Sequence, residues 1–358
     1  MSSVFYYALP ALGGYALLSL CLLRRPRLLH SPRVPAFSCR LAAHRGGKLG
    51  QVGTAGTLVE VETRGGGDQS RKRGPTHGEG THSHPSSPAG SGERIENTLE
   101  AFENAEAQRA DLLELDCQLS KDGVVIVSHD SNLLRQSGLN EDIRNLNSAE
   151  LPLYKEELEV YFSPGRFSRG TDRRMVRLEE VFQRFPRTPV SVEVKMDSDD
   201  LIQKVADLTR QYGRSHITVW AAEKSCIMKK CREANPEMPI SFTVGRGLRL
   251  LFLFYVGLLP FCPIPEQFLL CFMPSIINRT YFPFCSRMAN WCASAFLRRL
   301  IMRKSLIRHL EARGVQVIFW CLNEEADFEV AFGLGASGVM TDYPTVLRRY
   351  LDNHFPPP

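Results

Sequence analysis

From residue 95 to the C-terminus, short apolar runs alternate with stretches whose apolar positions recur every three or four residues. The runs at 112–118, 124–127, 189–194, 216–220, 315–320 and 338–340 are too short for helices and suit buried strands. The periodic stretches at 97–109, 201–212, 305–313 and 324–334 suit helices that bury one face. Repeated alternation of the two predicts an α/β fold with a parallel sheet covered on both faces. Residues 131–174 break the rhythm and are read as an inserted excursion.

Three stretches stand apart. Residues 4–23 contain no charge and are long enough to cross about 30 Å of hydrocarbon as a helix. Arg24, Arg25, Arg27, Arg33 and Arg40 follow. That flank favours a signal anchor over 1–24, a basic linker over 25–40 and a cytosolic remainder. Residues 48–90 are rich in Gly, Ser, Thr and Pro and lack periodicity, so they cannot bury enough surface to offset their ordering entropy. They are read as a disordered insertion, and His77, His82 and His84 within it as solvated. Residues 248–273 are very apolar but are interrupted by Pro260, Pro263 and Pro265. Crossing the bilayer there would put the flanking βα units on opposite sides. The segment is therefore either associated with the membrane surface or a buried helix of the fold.

Composition narrows the picture a little. The chain has 358 residues, of which 43% are hydrophobic and 23% charged, a globular balance that admits one large α/β barrel or two ordinary domains. A net charge of +5 is too mild to imply nucleic-acid binding, though it suits anionic membranes and phosphate groups. Ten cysteines occur without a CxxC pair, which argues against structural zinc and for reduced thiols.

Four clusters carry candidate chemistry: His44-Arg45-Gly46, Glu96-Asn97-Thr98, Glu114-Leu115-Asp116 and Ser128-His129-Asp130. Side chains alternate across a strand, so Glu114 and Asp116 share a face, and Glu193 and Lys195 repeat that spacing. Paired carboxylates suit a hard divalent cation, Mg²⁺ or Ca²⁺. Two histidines at strand ends can divide general-acid and general-base work.

In this order the four clusters, with Trp320-Cys321-Leu322-Asn323 and the run from Gly338 to Pro344, resemble the glycerophosphodiester phosphodiesterase family. The resemblance implies a TIM (β/α)8-type barrel over 41–352. It implies His44 and His129 as the acid/base pair and Glu114, Asp116 and Glu193 as ligands of one divalent metal, with His129 an alternative ligand. It further implies phosphate binding by Arg45, and a pocket lined by Glu96, Asn97, Lys195 and Trp320. The implied substrate is a lysophospholipid, cleaved at its head group, on an intracellular membrane such as the endoplasmic reticulum. No obligate protein partner is expected. A catalytically silent membrane protein and an enzyme for soluble glycerophosphodiesters remain the alternatives.

Overall fold

The computed structural model describes residues 2–31, 33–44, 93–279 and 286–356. The expected insertion at 48–90, its three histidines and Arg45 lie outside the described residues. The strands are β1 (Leu41–Ala43), β2 (Leu112–Leu119), β3 (Val125–Val127), β4 (Glu157–Glu159), β5 (Phe167–Arg169), β6 (Val176–Arg177), β7 (Val190–Val194), β8 (Thr218–Ala221), β9 (Phe268–Phe272), β10 (Gln316–Trp320) and β11 (Gly338–Thr341). The helices are α1 (Ser2–Arg24), α2 (Leu99–Ala107), α3 (Leu134–Ser137), α4 (Leu178–Arg184), α5 (Asp199–Gln211), α6 (Ser225–Ala234), α7 (Val244–Tyr255), α8 (Arg287–Ile301), α9 (Lys304–Ala312), α10 (Glu325–Leu334) and α11 (Pro344–His354).

Parallel pairing runs β8–β7–β2–β1–β11–β10–β9. Two single-residue parallel bridges, Trp220 to Ile240 and Ser241 to Phe268, join β8 to β9 through residues 240–241. The result is a TIM-barrel-like α/β fold. Alternation explains its two layers. Ala42, Leu112, Val219, Phe268, Ile318 and Met340 come from six different strands yet form one small buried cluster, the inside of the sheet. Their neighbours Leu113, Leu115, Val190, Val192, Val317 and Phe319 face outward into the larger core beneath the helices.

Several boundaries differ from expectation. The helix predicted from residue 97 begins at Leu99, because Asn97 has φ +57° and the Thr98 hydroxyl accepts from the Ala101 N–H as an N-cap. The run at 124–127 forms β3, which is antiparallel to β2 and pairs on with β6, outside the parallel set. Residues 131–174 do leave the sheet, carrying short turns and the β4–β5 hairpin. The segment 248–273 divides. Its first part belongs to α7, whereas Phe268–Phe272 is β9, paired with β10 at five positions. As a strand of the main sheet, that portion is not the buried helix that one of the two readings expected. Among the described residues only α1 is long and apolar enough to cross a membrane, over Tyr7–Arg24.

The C-terminal part of α1 docks on the body. The Tyr15 hydroxyl donates to the Val256 carbonyl, and the Ser19 hydroxyl to the Gly257 carbonyl at 2.7 Å. Gly257 has φ +76°, and a Cβ there would stand 2.7 Å from the Ser19 hydroxyl, so both backbone and contact require glycine. His309 Nδ1 donates to the Leu23 carbonyl at 3.0 Å.

Candidate active site

His44 follows β1 directly, and Asp342 follows β11. Because β1 and β11 pair in register, the two residues stand side by side at the strand C-termini. His44 Nδ1 donates to Asp342 Oδ1 at 2.8 Å. Asn323, just past β10, fixes that carboxylate: its Nδ2 donates to Asp342 Oδ2 at 2.9 Å, and its Oδ1 accepts from the Asp342 N–H at 2.9 Å. The arrangement leaves the far ring nitrogen, Nε2, directed away from Asp342. Burial works to lower the pKa of His44, but the charge and hydrogen bond of Asp342, with help from Glu114, outweigh it and raise the net value.

On β2, Glu114 and Asp116 point inward, and the register places Asp116 beside Glu193 of β7. One carboxylate oxygen from each of Glu114, Asp116 and Glu193 lies within 4.8 Å of the others. Lys195 Nζ reaches Asp116 Oδ1 at 2.8 Å, while Asp116 Oδ2 is buried without a donor among the described residues. Burial raises the pKa of Asp116 well above the usual carboxylate range, against the pull of Lys195 and with a further push from Glu114 and Glu193. A buried oxygen-rich group with one uncompensated oxygen fits a hard divalent cation, so the residues present suit such an ion. The cluster His44, Cys321 and Asp342 offers a second set of potential ligand atoms. Its histidine and carboxylate are already hydrogen-bonded to each other, which leaves less capacity for an ion.

His129 arrives by a different route. β2 continues beyond the sheet rim and β3 returns antiparallel to it, with the Ser128 N–H donating to the Asp116 carbonyl at 3.0 Å. The return brings His129 back to the level of the acidic group. Its Nδ1 lies 2.5 Å from Asp130 Oδ1. Burial, then the positive charge of Lys195, lower its pKa to about 3 despite Asp130. The two histidines are thus pushed in opposite directions.

The expected pocket residues separate. His44, Glu114, Glu193, Lys195 and Trp320 line one cavity of about 330 Å³. Glu96 instead forms a short ion pair with Arg135 and accepts from Gln136 Nε2 at 3.0 Å. Arg135 also pairs with Asp130 at 2.6 Å, so Glu96 connects to His129 through Arg135 and Asp130. Asn97 is fully buried next to it in the left-handed conformation. Phe162, from the excursion, stacks edge-on against both His44 and Trp320, at 5.6 and 5.9 Å between ring centres. Sequence reasoning gave no role to Asp342, Asn323, Arg135 or Phe162. Asp342 and Asn323 lay within recognised motifs, and the pairing of β1 with β11 is the signal that would have joined them to His44.

Fold and site together define a class: an α/β enzyme of TIM-barrel-like architecture with histidines suited to proton transfer and carboxylates suited to a cation gathered at the strand C-termini. Comparison with known proteins makes this particular. Residues 88–248 match the Glycerophosphoryl diester phosphodiesterase family. The chain is 58% identical to human Lysophospholipase D GDPD3, over 99% of this chain and 98% of that protein. It is 40% identical to rat Lysophospholipase D GDPD1, over 98% of each. Among solved structures it resembles a putative glycerophosphoryl diester phosphodiesterase of Silicibacter pomeroyi, with a TM-score of 0.57 and 18% identity over 90% of this chain and 95% of that one. The chain belongs to the glycerophosphoryl diester phosphodiesterase family.

Proposed function

We propose that the chain is a metal-dependent lysophospholipase D that releases the head-group alcohol of lysophospholipids and leaves lysophosphatidic acid. The observation that carries the reading is the group of three carboxylates within 4.8 Å, one oxygen of which is buried and uncompensated, flanked by two histidines of opposed proton affinity. Glu114, Asp116 and Glu193 would hold one divalent ion, Mg²⁺ or Ca²⁺. When bound, such an ion supplies charge neutralisation at the non-bridging phosphate oxygens. The names of the relatives support the choice of a lysophospholipid over a soluble glycerophosphodiester.

The proton roles follow from the environments. His129, held neutral, accepts the proton of the attacking hydroxyl, either water, which gives lysophosphatidic acid directly, or the free glycerol hydroxyl of the substrate, which gives a cyclic phosphate that water then opens to lysophosphatidic acid. His44, held towards its protonated form, gives a proton from Nε2 to the departing alcohol. Lys195 offsets the charge of Asp116 and offers a second positive group to the phosphate. Arg45 completes phosphate binding in this reading. Trp320 and Phe162 wall the glycerol side. The sheet acts as a full (β/α)8 barrel, α1 as the anchor of a cytosolic enzyme at the endoplasmic reticulum, and the exposed side of α7 as a membrane-surface contact.

The test is choline release from lysophosphatidylcholine by the full-length chain, with Mg²⁺ or Ca²⁺ and with chelator. Metal-dependent release that His44→Ala lowers by about 10²-fold or more is the expected result. Release that persists in chelator would overturn the metal assignment, and no release would overturn the substrate assignment.

A further inference from the structure

The cavity that reaches His44, Glu114, Glu193 and Lys195 does not end at them. It is lined by both faces of β9: Leu270 and Phe272 from one side, Leu269 and Cys271 from the other. A cavity that touches both faces of one strand must pass around it. Beyond β9 the walls are Leu250 and Leu251 of α7, Ile301 of α8, Leu306 of α9 and Phe319 of β10. These are apolar side chains. The lining then reaches Val244, Gly247 and Leu248 on the first turns of α7. Val244 and Leu248 are exposed, by 55% and 64%, so the cavity opens on the surface beside apolar side chains, with Glu223, whose carbonyl accepts from the Val244 N–H, the charged residue at that end.

Protein cores are packed to near-crystalline density, and an apolar hollow inside one costs stability unless it takes an apolar guest. Gly247 adds a second sign of built space: a Cβ at this helical position would meet nothing within 4 Å. Glycine weakens a helix relative to alanine, so its presence on a wall with room for a side chain keeps the passage open.

Resting on the lysophospholipase reading, we propose that this passage is the acyl-chain site. A single hydrocarbon chain lies between β9 and helices α7, α8 and α9, with its phosphodiester at Glu114, Glu193 and Lys195. The apolar mouth at Val244 and Leu248 is the side by which the chain enters from a lipid surface. A second hollow, lined by Arg27, Arg40 and Glu311, is polar. One apolar passage takes one hydrocarbon chain, which suits a monoacyl substrate.

The experiment measures choline release from glycerophosphocholine and from its butanoyl, octanoyl and dodecanoyl lysolipids below their micellar concentrations, using the full-length chain. For the wild type, kcat/KM rises by up to about fourfold per methylene until the passage is filled. In Gly247→Phe, which places a ring in the passage, the dodecanoyl-to-butanoyl ratio of kcat/KM falls by about tenfold or more. Gly247→Leu shifts the ratio the same way by less and guards against a misfolded phenylalanine variant. A ratio that is unchanged in both variants, or no chain-length dependence in the wild type, overturns the acyl site. Binding of dansyl-undecanoate, followed by its fluorescence, separates this from failure of the activity itself. If nothing is hydrolysed, saturable binding that Gly247→Phe weakens keeps the apolar site and discards only the reaction. Binding insensitive to Gly247→Phe discards the site.

Discussion

The two halves of the sheet differ in what they carry. On the β1–β2–β7 side, inward positions hold His44, Glu114, Asp116 and Glu193, with Lys195 one step beyond. On the β9–β10 side, the corresponding positions hold Leu270, Phe272, Ile318 and Trp320. The helices follow the same division. Outside β7 and β8, α5 exposes Gln203, Lys204, Asp207 and Arg210, and α6 exposes Lys229 and Glu233. On the other side, α7 exposes Leu248, Phe252 and Tyr255, and α8 exposes Met288, Trp291 and Phe296. One frame thus keeps its cluster of titratable groups apart from its exposed apolar side chains.

The largest effect that would break this division is at the acidic group. Asp116→Ala removes the carboxylate shared with Lys195 and Glu193, and kcat/KM for choline release should fall about a thousandfold or more, several kcal/mol of barrier. Titration calorimetry with Mg²⁺ should show the cation affinity falling with it. Loss of activity with cation affinity intact would assign Asp116 to some other task.

Next is the support of His44. Asp342→Asn keeps the shape but removes the charge that raises the pKa of His44, and kcat should fall by about a hundredfold. The acidic limb of the pH profile should shift little, while the basic limb moves to lower pH, because His44 loses its proton sooner. A uniform loss at every pH would leave Asp342 a merely structural residue.

A smaller effect tests the apolar half. Replacing Leu248 and Phe252 together by serine should weaken binding of the full chain to neutral phosphatidylcholine vesicles by roughly tenfold, from two side chains that no longer enter the interface. The matching change on α5, Gln203 and Asp207 to serine, should stay within about twofold. Equal effects on the two faces would remove the distinction between the halves.

The smallest concerns stability. Burial lowers the pKa of His309 to about 4. Its unfolded value is about 6.5, so as pH falls below that the unfolded chain takes up a proton that the folded chain refuses. Stability should therefore be lost on acidification, by about 1 kcal/mol between neutral pH and pH 5.5, and the loss should continue towards pH 4. Thermal melts of His309→Gln, which can still donate to the Leu23 carbonyl, should lack that slope.

The legible parts of the molecule were those encoded locally. Two-residue alternation was enough to put Glu114 with Asp116 and Glu193 with Lys195, and the structure brings the three carboxylates together. Pairing direction is not local, and nothing in Val125–Val127 states that it runs against β2. An apolar run does not state its period either when nearly every position is apolar, so 248–273 concealed a helix followed by a strand. Glu96 shows the same limit at the site. Its motif predicted a pocket wall, but its partners Arg135 and Gln136 lie in the irregular excursion, about forty residues away, where sequence pattern is silent.

The docking of α1 carries a consequence for the order of biosynthesis. Tyr15 and Ser19 make their hydrogen bonds with residues 241 and 238 positions later in the chain. At the usual pace of translation, roughly 5–20 residues per second, the first helix leaves the ribosome some ten to fifty seconds before its landing site exists. Through that interval its apolar surface must be covered by something other than this protein. The body of the enzyme is then completed onto a helix made well before it, so under the anchor reading proposed above the N-terminal segment would set the address of the molecule before the candidate site residues have been made.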